Sequence, residues 1–141
     1  MAILNYTTKI SADKTIGEIQ KILVSHGATK IVSDYQGTIP VAVTFALPVN
    51  GNLVAFSLPA NYAGVLKAMK NDKSVTRSQC TDEQALRVSW RIIKDWVEAQ
   101  MAIVEAQLAD IAEVFLPYAI TKNGTTVYNE IKGNGMLMIT N

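Results

Sequence analysis

The feature that most constrains this chain is one long apolar run near its C-terminal end: Leu86, Trp90, Ile93, Val97, Met101, Val104, Leu108, Ile111 and Phe115. The steps of four and three average about 3.6 residues, the period of a straight α-helix rather than a supercoiled one. The run follows Thr81-Asp82-Glu83 and stops at Leu116-Pro117, so the pattern predicts one helix of about 30 residues around which the rest must be built. Everything else is shorter and mostly strand-like.

Upstream, Leu4 to Ile10 reads as a short strand. Ile16, Ile19, Ile22 and Leu23 then share a helix face, with Ser11 or Asp13 as N-cap and Gly27 as the left-handed stop. Lys30 to Tyr35, the alternating Val41, Val43, Phe45 and Leu47, and Leu53 to Leu58 predict three strands, joined at Gln36-Gly37-Thr38 and at Asn50-Gly51. Asn-Gly favours the positive φ angles of a tight hairpin, so this part reads as an antiparallel meander. A short helix is expected from Asn61 or Tyr62 to Lys70, then an exposed polar loop over 71–79. After Pro117, Tyr118 to Thr121 and Thr125 to Ile131 flank Lys122-Asn123-Gly124 as a second hairpin, and Met136 to Ile139 forms a last apolar stretch. The expected fold is α+β: a three-stranded meander and a C-terminal hairpin packed on one long helix and a shorter N-terminal helix. With 141 residues, it reads as a single domain, 1–141.

The long helix carries a second apolar face, made of Ala85, Ile92, Trp96, Ala99, Ile103 and Ala106. A helix lying on one sheet needs only one apolar stripe. Either the Ile16-Ile19-Leu23 helix covers the second face, or the face is the interface of a homodimer through Ile92, Trp96, Ala99 and Ile103, with Trp96 the kind of residue that anchors interfaces.

Composition excludes more than it assigns. A net charge of +1 leaves no global footprint for nucleic acid or an anionic membrane. The single cysteine, Cys80, forbids an internal disulfide, and no signal peptide or membrane-length apolar run is seen, so a cytoplasmic location is expected with no direct membrane contact. With one histidine, His26, there is no zinc set, no Cys/His pair and no serine triad. His26 reads instead as a cation at a helix C-terminus. Gly133-Asn134-Gly135 lacks the following helix a phosphate loop requires. No catalytic residue, metal or cofactor is expected, and the chain reads as a binding protein rather than an enzyme.

Arg87, Arg91 and Lys94 form a cationic ridge in the first half of the long helix, while Asp110 and Glu113 sit in its last turns. Both placements oppose the helix dipole. Arg91 with Asp95, and Lys94 with Glu98, have the i,i+4 spacing of helix ion pairs. Arginines one turn apart also suit a phosphate-bearing partner, so Arg87, Arg91 and Lys94 are the expected partner-binding residues.

Three stretches, Arg87-Val88-Ser89-Trp90-Arg91-Ile92-Ile93-Lys94-Asp95-Trp96-Val97-Glu98-Ala99-Gln100, Glu113-Val114-Phe115-Leu116-Pro117-Tyr118 and Lys14-Thr15-Ile16-Gly17-Glu18-Ile19-Gln20-Lys21-Ile22-Leu23, resemble small proteins encoded by phages and mobile elements of gut bacteria. Some members of that family are similar to anti-CRISPR proteins that block the RNA-guided nuclease of type II systems. The resemblance implies a phage counter-defence protein that inhibits such a nuclease, with its guide RNA, by stoichiometric binding in the host cytoplasm. It carries no assigned contact residues. The neutral charge implies a mode other than DNA mimicry, such as locking a domain. The alternative is a phage protein that sequesters a nucleotide immune signal, which would employ the same cations and tryptophans.

Overall fold

The computed structural model describes residues 3–134. It is an α+β fold in which a three-stranded antiparallel sheet of order β1-β2-β3 lies against helices. The strands are β1 (Lys30–Gln36), β2 (Ile39–Val49) and β3 (Asn52–Pro59). Asn50 and Gly51 both have positive φ, 51° and 80°, the two-residue turn whose twist matches its strands. It sets Phe45 opposite Phe56 and Val43 opposite Leu58, and these four are buried in the main core together with Leu47. The side chains of Val32 and Leu53 stay exposed.

Helix α1 (Ala12–Ser25) starts at Ser11, whose hydroxyl accepts the Lys14 N–H at 3.2 Å. It ends with Gly27 at φ 106°, as the N–H groups of Gly27 and Ala28 close back onto the carbonyls of Val24 and Leu23. That pair of bonds is a Schellman stop, and the left-handed residue it requires is glycine here. Ile16, Ile19 and Leu23 enter the main core beside Trp90, Val97 and Met101 of the long helix.

The long helix is shorter than its apolar period suggests. α3 runs Asp82–Glu105, 24 residues, and then stops with the same bond pattern as α1: Gln107 donates to Val104 and Leu108 to Ile103. Here the left-handed position is held by Gln107 at φ 61°, a residue that gives no stop signal in sequence. Leu108 is 77% exposed, although it falls on the same stripe as Trp90. A four-residue helix, α4 (Ile111–Val114), follows, with the Glu113 carboxylate accepting the Asp110 N–H at 3.2 Å. Asp110 and Glu113 therefore begin a helix rather than end one, where negative charge is favourable. The chain turns back so that Phe115 is buried against Phe45, at a centroid distance of 5.1 Å.

Two other expectations are corrected. The segment from Leu4 forms turns, not a strand, because its carbonyls have another partner: the buried Gln84 amide donates to Tyr6 O at 2.9 Å and Thr8 O at 2.8 Å. The second hairpin is reduced to single bridges, Phe56 with Ala119 and Ile120 with Thr126. Its second arm is instead helical, α5 (Val127–Asn134). The first bridge, with Ile120 N–H donating to Ala55 O at 2.8 Å, covers part of the β3 edge that would otherwise invite pairing. The Met136 to Ile139 stretch lies outside the described residues.

The second apolar stripe of α3 is covered in its first half, and not by α1. Helix α2 (Tyr62–Lys70) forms a smaller core there: Met69, Val75, Ala85 and Val88 are buried, with Ile92, Tyr62, Val65 and Leu66 packed around them. The loop over 71–79 is mostly exposed, but Val75 plugs into this core and Arg77–Gln79 form a 3-10 turn. Among the described residues no helix is long and apolar enough to cross a membrane.

Candidate functional site

The expected cationic ridge is tied into the fold. Arg87 is half-buried and its Nε donates to Gln84 Oε1 at 2.9 Å. Through Gln84 it supports the latch on the N-terminal segment. Arg91 reaches α1, where its Nη1 donates to Glu18 Oε2 at 2.5 Å, and its side chain is only 13% exposed. The anticipated Arg91–Asp95 pair does not form. Asp95 instead accepts from Asn5 Nδ2 at 2.8 Å. Lys94 does pair with Glu98 one turn on. The expectation of a free, exposed ridge is therefore corrected: two of its charges sit in intrachain ion pairs and the third holds a buried amide.

His26 is a clasp between two helix ends. Its Nδ1 lies 2.7 Å from Ile22 O in α1 and its Nε2 lies 2.8 Å from Glu105 Oε1 at the end of α3. The Ile22 carbonyl, then the Glu105 carboxylate, hold the imidazole above its ordinary pKa. The stabilisation from the charged ring is thus fully present below the ordinary histidine value of about 6.5. It is lost as pH rises through the raised folded value. Thermal melts across roughly pH 5–8 should show wild type losing stability over that upper window. His26→Asn should remove this pH-dependent component, and parallel pH–stability curves for the two proteins would dismiss the clasp.

Cys80 is half-buried, and its Sγ donates to Thr76 O at 3.5 Å. That contact ties the thiol to the turn before α3.

The most distinctive concave surface lies beside Trp96. Leu58 and Pro59 at the end of β3, Ile92, Ile93 and Trp96 on α3, and Tyr118 after α4 line a cleft of about 230 Å³. Three elements distant in sequence meet here because Phe115 pulls the chain back onto the sheet. Its ring packs T-shaped on Trp96 at a centroid distance of 5.6 Å, and Tyr118 packs T-shaped on the same indole, also at 5.6 Å. Aromatic pairs in this geometry add about 0.5–1.5 kcal/mol beyond area burial and fix the ring orientation. The cleft is thus pre-formed and dominated by apolar side chains, the usual character of a binding site.

Of the four residues expected at an oligomer face, the structure brings Ile92 and Trp96 together in this cleft. Ala99 is exposed and Ile103 half-buried further along α3. Trp96 is held by Phe115 and Tyr118 of its own chain, so it does not need a second copy to be covered. Leu58, Pro59 and Tyr118 were not legible as site residues. Nothing in their local sequence signals that a strand end and a post-helical turn converge on one indole.

No family model, curated protein or solved structure matches this chain.

Proposed function

We propose that the protein is a phage-borne counter-defence protein that inhibits an RNA-guided type II nuclease by stoichiometric binding rather than by turnover. The resemblance of its α1, α3 and post-α4 segments to phage and mobile-element proteins supplies the biological setting. The observation that carries the binding mode is the pre-formed cleft: a half-buried Trp96 held by T-shaped contacts with two aromatic rings beside Leu58 and Pro59. Hot spots favour tryptophan and tyrosine in such pockets, because a rigid ring buries much area with little loss of entropy. Arg87, Arg91 and Lys94 are engaged within the chain, so the contact surface in this reading is the cleft.

The test is a cleavage assay with purified nuclease and guide RNA. Inhibition should titrate with the ratio of protein to nuclease, and Cys80→Ala and His26→Ala should inhibit like wild type. Pro59 is exposed at the rim of the cleft, so Pro59→Glu adds a charge there without disturbing the core. It should change stability by about 0.5 kcal/mol or less. It should weaken inhibition at least tenfold, about 1.4 kcal/mol. Full cleavage in the presence of excess wild-type protein would end this reading.

A second reading concerns self-association through the same helix. Ala99, Ala102 and Ala106 are exposed, with Ile103 half-buried beside them, continuing the Ile92–Trp96 face as apolar surface that no other described residue covers. A homodimer through Ile92, Trp96, Ala99 and Ile103 would bury it. Sedimentation of the wild type as a dimer, and of Ala99→Glu as a monomer, is the expected outcome. A monomeric wild type disposes of the dimer and leaves the inhibitor reading intact.

A further inference from the structure

The charge of this chain is unevenly placed. Between residues 61 and 81 stand four of its 13 lysines and arginines, Lys67, Lys70, Lys73 and Arg77, but only one of its 12 acids, Asp72. All four cations are exposed, and among the described residues none of them has an ion-pair partner. Lys70, Lys73 and Arg77 line one open cleft of about 800 Å³ together with Asp72, Val75 and Cys80. Lys70 also lines an adjoining cleft of about 300 Å³ with Lys67 and Asp82. The cations are therefore spread along a continuous surface that Lys70 joins, instead of converging on one point.

Helix-end electrostatics explain only part of this. Lys67 and Lys70 occupy the last turn of α2, where a cation offsets the negative end of the helix dipole. Lys73 and Arg77 lie beyond the helix and have no such role. They stand on a fixed backbone: Val75, between them, is buried in the smaller core, and Val75 N–H donates to Asp72 O at 3.1 Å. Asp72 is the one opposing charge on this loop, and it is occupied. Its carboxylate accepts the Ser74 hydroxyl at 2.6 Å and the Ser74 N–H at 2.9 Å. The Ser74 bonds also hold Asp72 below the ordinary carboxylate range.

We infer that the surface formed by Lys67, Lys70, Lys73 and Arg77 binds the phosphodiester backbone of a nucleic acid strand by charge complementarity. Lysine ammonium groups act as mobile point charges suited to successive phosphates. No aromatic side chain lines either cleft, so the contact is to the charged backbone rather than to the bases, and it carries no sequence preference. The inference goes beyond nuclease inhibition and does not depend on it, because its test contains no nuclease.

The probe is a fluorescein-labelled oligouridylate of about 20 nucleotides, with the matching oligothymidylate as a second arm, read by fluorescence anisotropy. Affinity should rise as salt falls. Three to four phosphate contacts on a single strand predict a log–log slope of about −2 to −3, or ~20–50-fold between 200 and 50 mM salt. Lys70→Gln/Lys73→Gln/Arg77→Gln should weaken binding at least tenfold and flatten the slope. Lys14→Gln/Lys21→Gln/Lys122→Gln removes three exposed cations elsewhere and should bind nearly as wild type. Equal losses in the two triple variants, or no binding at the lower salt, would overturn the inference. So would competition by uridine monophosphate as effective as that by the oligomer, which would mark a mononucleotide site. If the first triple variant fails to fold, Lys73→Gln alone should still lower both affinity and slope.

Discussion

Trp90→Ala should destabilise the protein by about 3–5 kcal/mol, the usual cost of truncating a large buried aromatic. Trp90 is fully buried between α3 and the sheet, and its Nε1 donates to Pro40 O at 3.2 Å. Truncation therefore opens a cavity in the core that Trp90 shares with Val43, Phe45, Val97 and Leu23, and it removes the indole donor from the Pro40 carbonyl. A domain of this size has only about 5–15 kcal/mol in total, so denaturant midpoint and melting temperature should both fall sharply. Trp90→Phe retains most of the ring volume but not the N–H, and should cost less, on the order of 1–3 kcal/mol. A loss below about 1 kcal/mol for Trp90→Ala would mean that the indole is not the centre of this core.

Phe115→Ala should be similarly costly, about 3–5 kcal/mol, with a different signature. Phe115 is fully buried among other rings: it meets Phe45 at 5.1 Å, Trp96 at 5.6 Å and Phe56 at 6.2 Å. It is the residue that returns the chain to the sheet after α3 ends. Its loss removes one of the two rings that hold Trp96 and loosens the turn that carries Tyr118. In a Trp90→Phe background, where Trp96 is the sole indole, Phe115→Ala should shift the fluorescence of the folded protein to longer wavelength. Unchanged emission would show that Phe115 does not hold Trp96 in place.

The different fates of two helix stops show where sequence reasoning ran out. α1 and α3 end in the same pair of backbone bonds. Gly27 announces the first because glycine alone occupies positive φ without steric cost. Gln107 conceals the second, and the apolar period continues past it through Leu108 and Ile111. The continuing period was real, but it marks residues that face the core from two separate helices. Asp110 and Glu113 were misread for the same reason: as the end of one helix they oppose its dipole, and as the start of the next they favour it.

The candidate site divides along the same line. Trp96 stood out in the sequence as a large aromatic on a second apolar face of α3. Its partners did not, because Leu58, Pro59 and Tyr118 are separated from it by tens of residues and meet it only when Phe115 is buried. Of the cationic ridge, the Lys94–Glu98 pair was legible from its i,i+4 spacing, but the partner of Arg91 was not, because Glu18 is on another helix, and Arg87 is drawn in through Gln84, which the N-terminal turns engage. The cations after α2 looked like an ordinary solvated loop until Val75 was seen to pin them.

What the sequence determined by itself is what local chemistry controls: the strand alternation, the Asn50-Gly51 turn, the Gly27 stop and the amphipathic faces of α1 and α3. These depend on backbone preferences and on periods of two or 3.6 residues, which act over a few neighbours. Tertiary structure alone decided where α3 stops, that Val127–Asn134 is helical, which element covers each apolar stripe, and which charges find partners. Those outcomes depend on burying particular side chains against residues distant in the chain, and that gain exceeds the small local preferences it overrides.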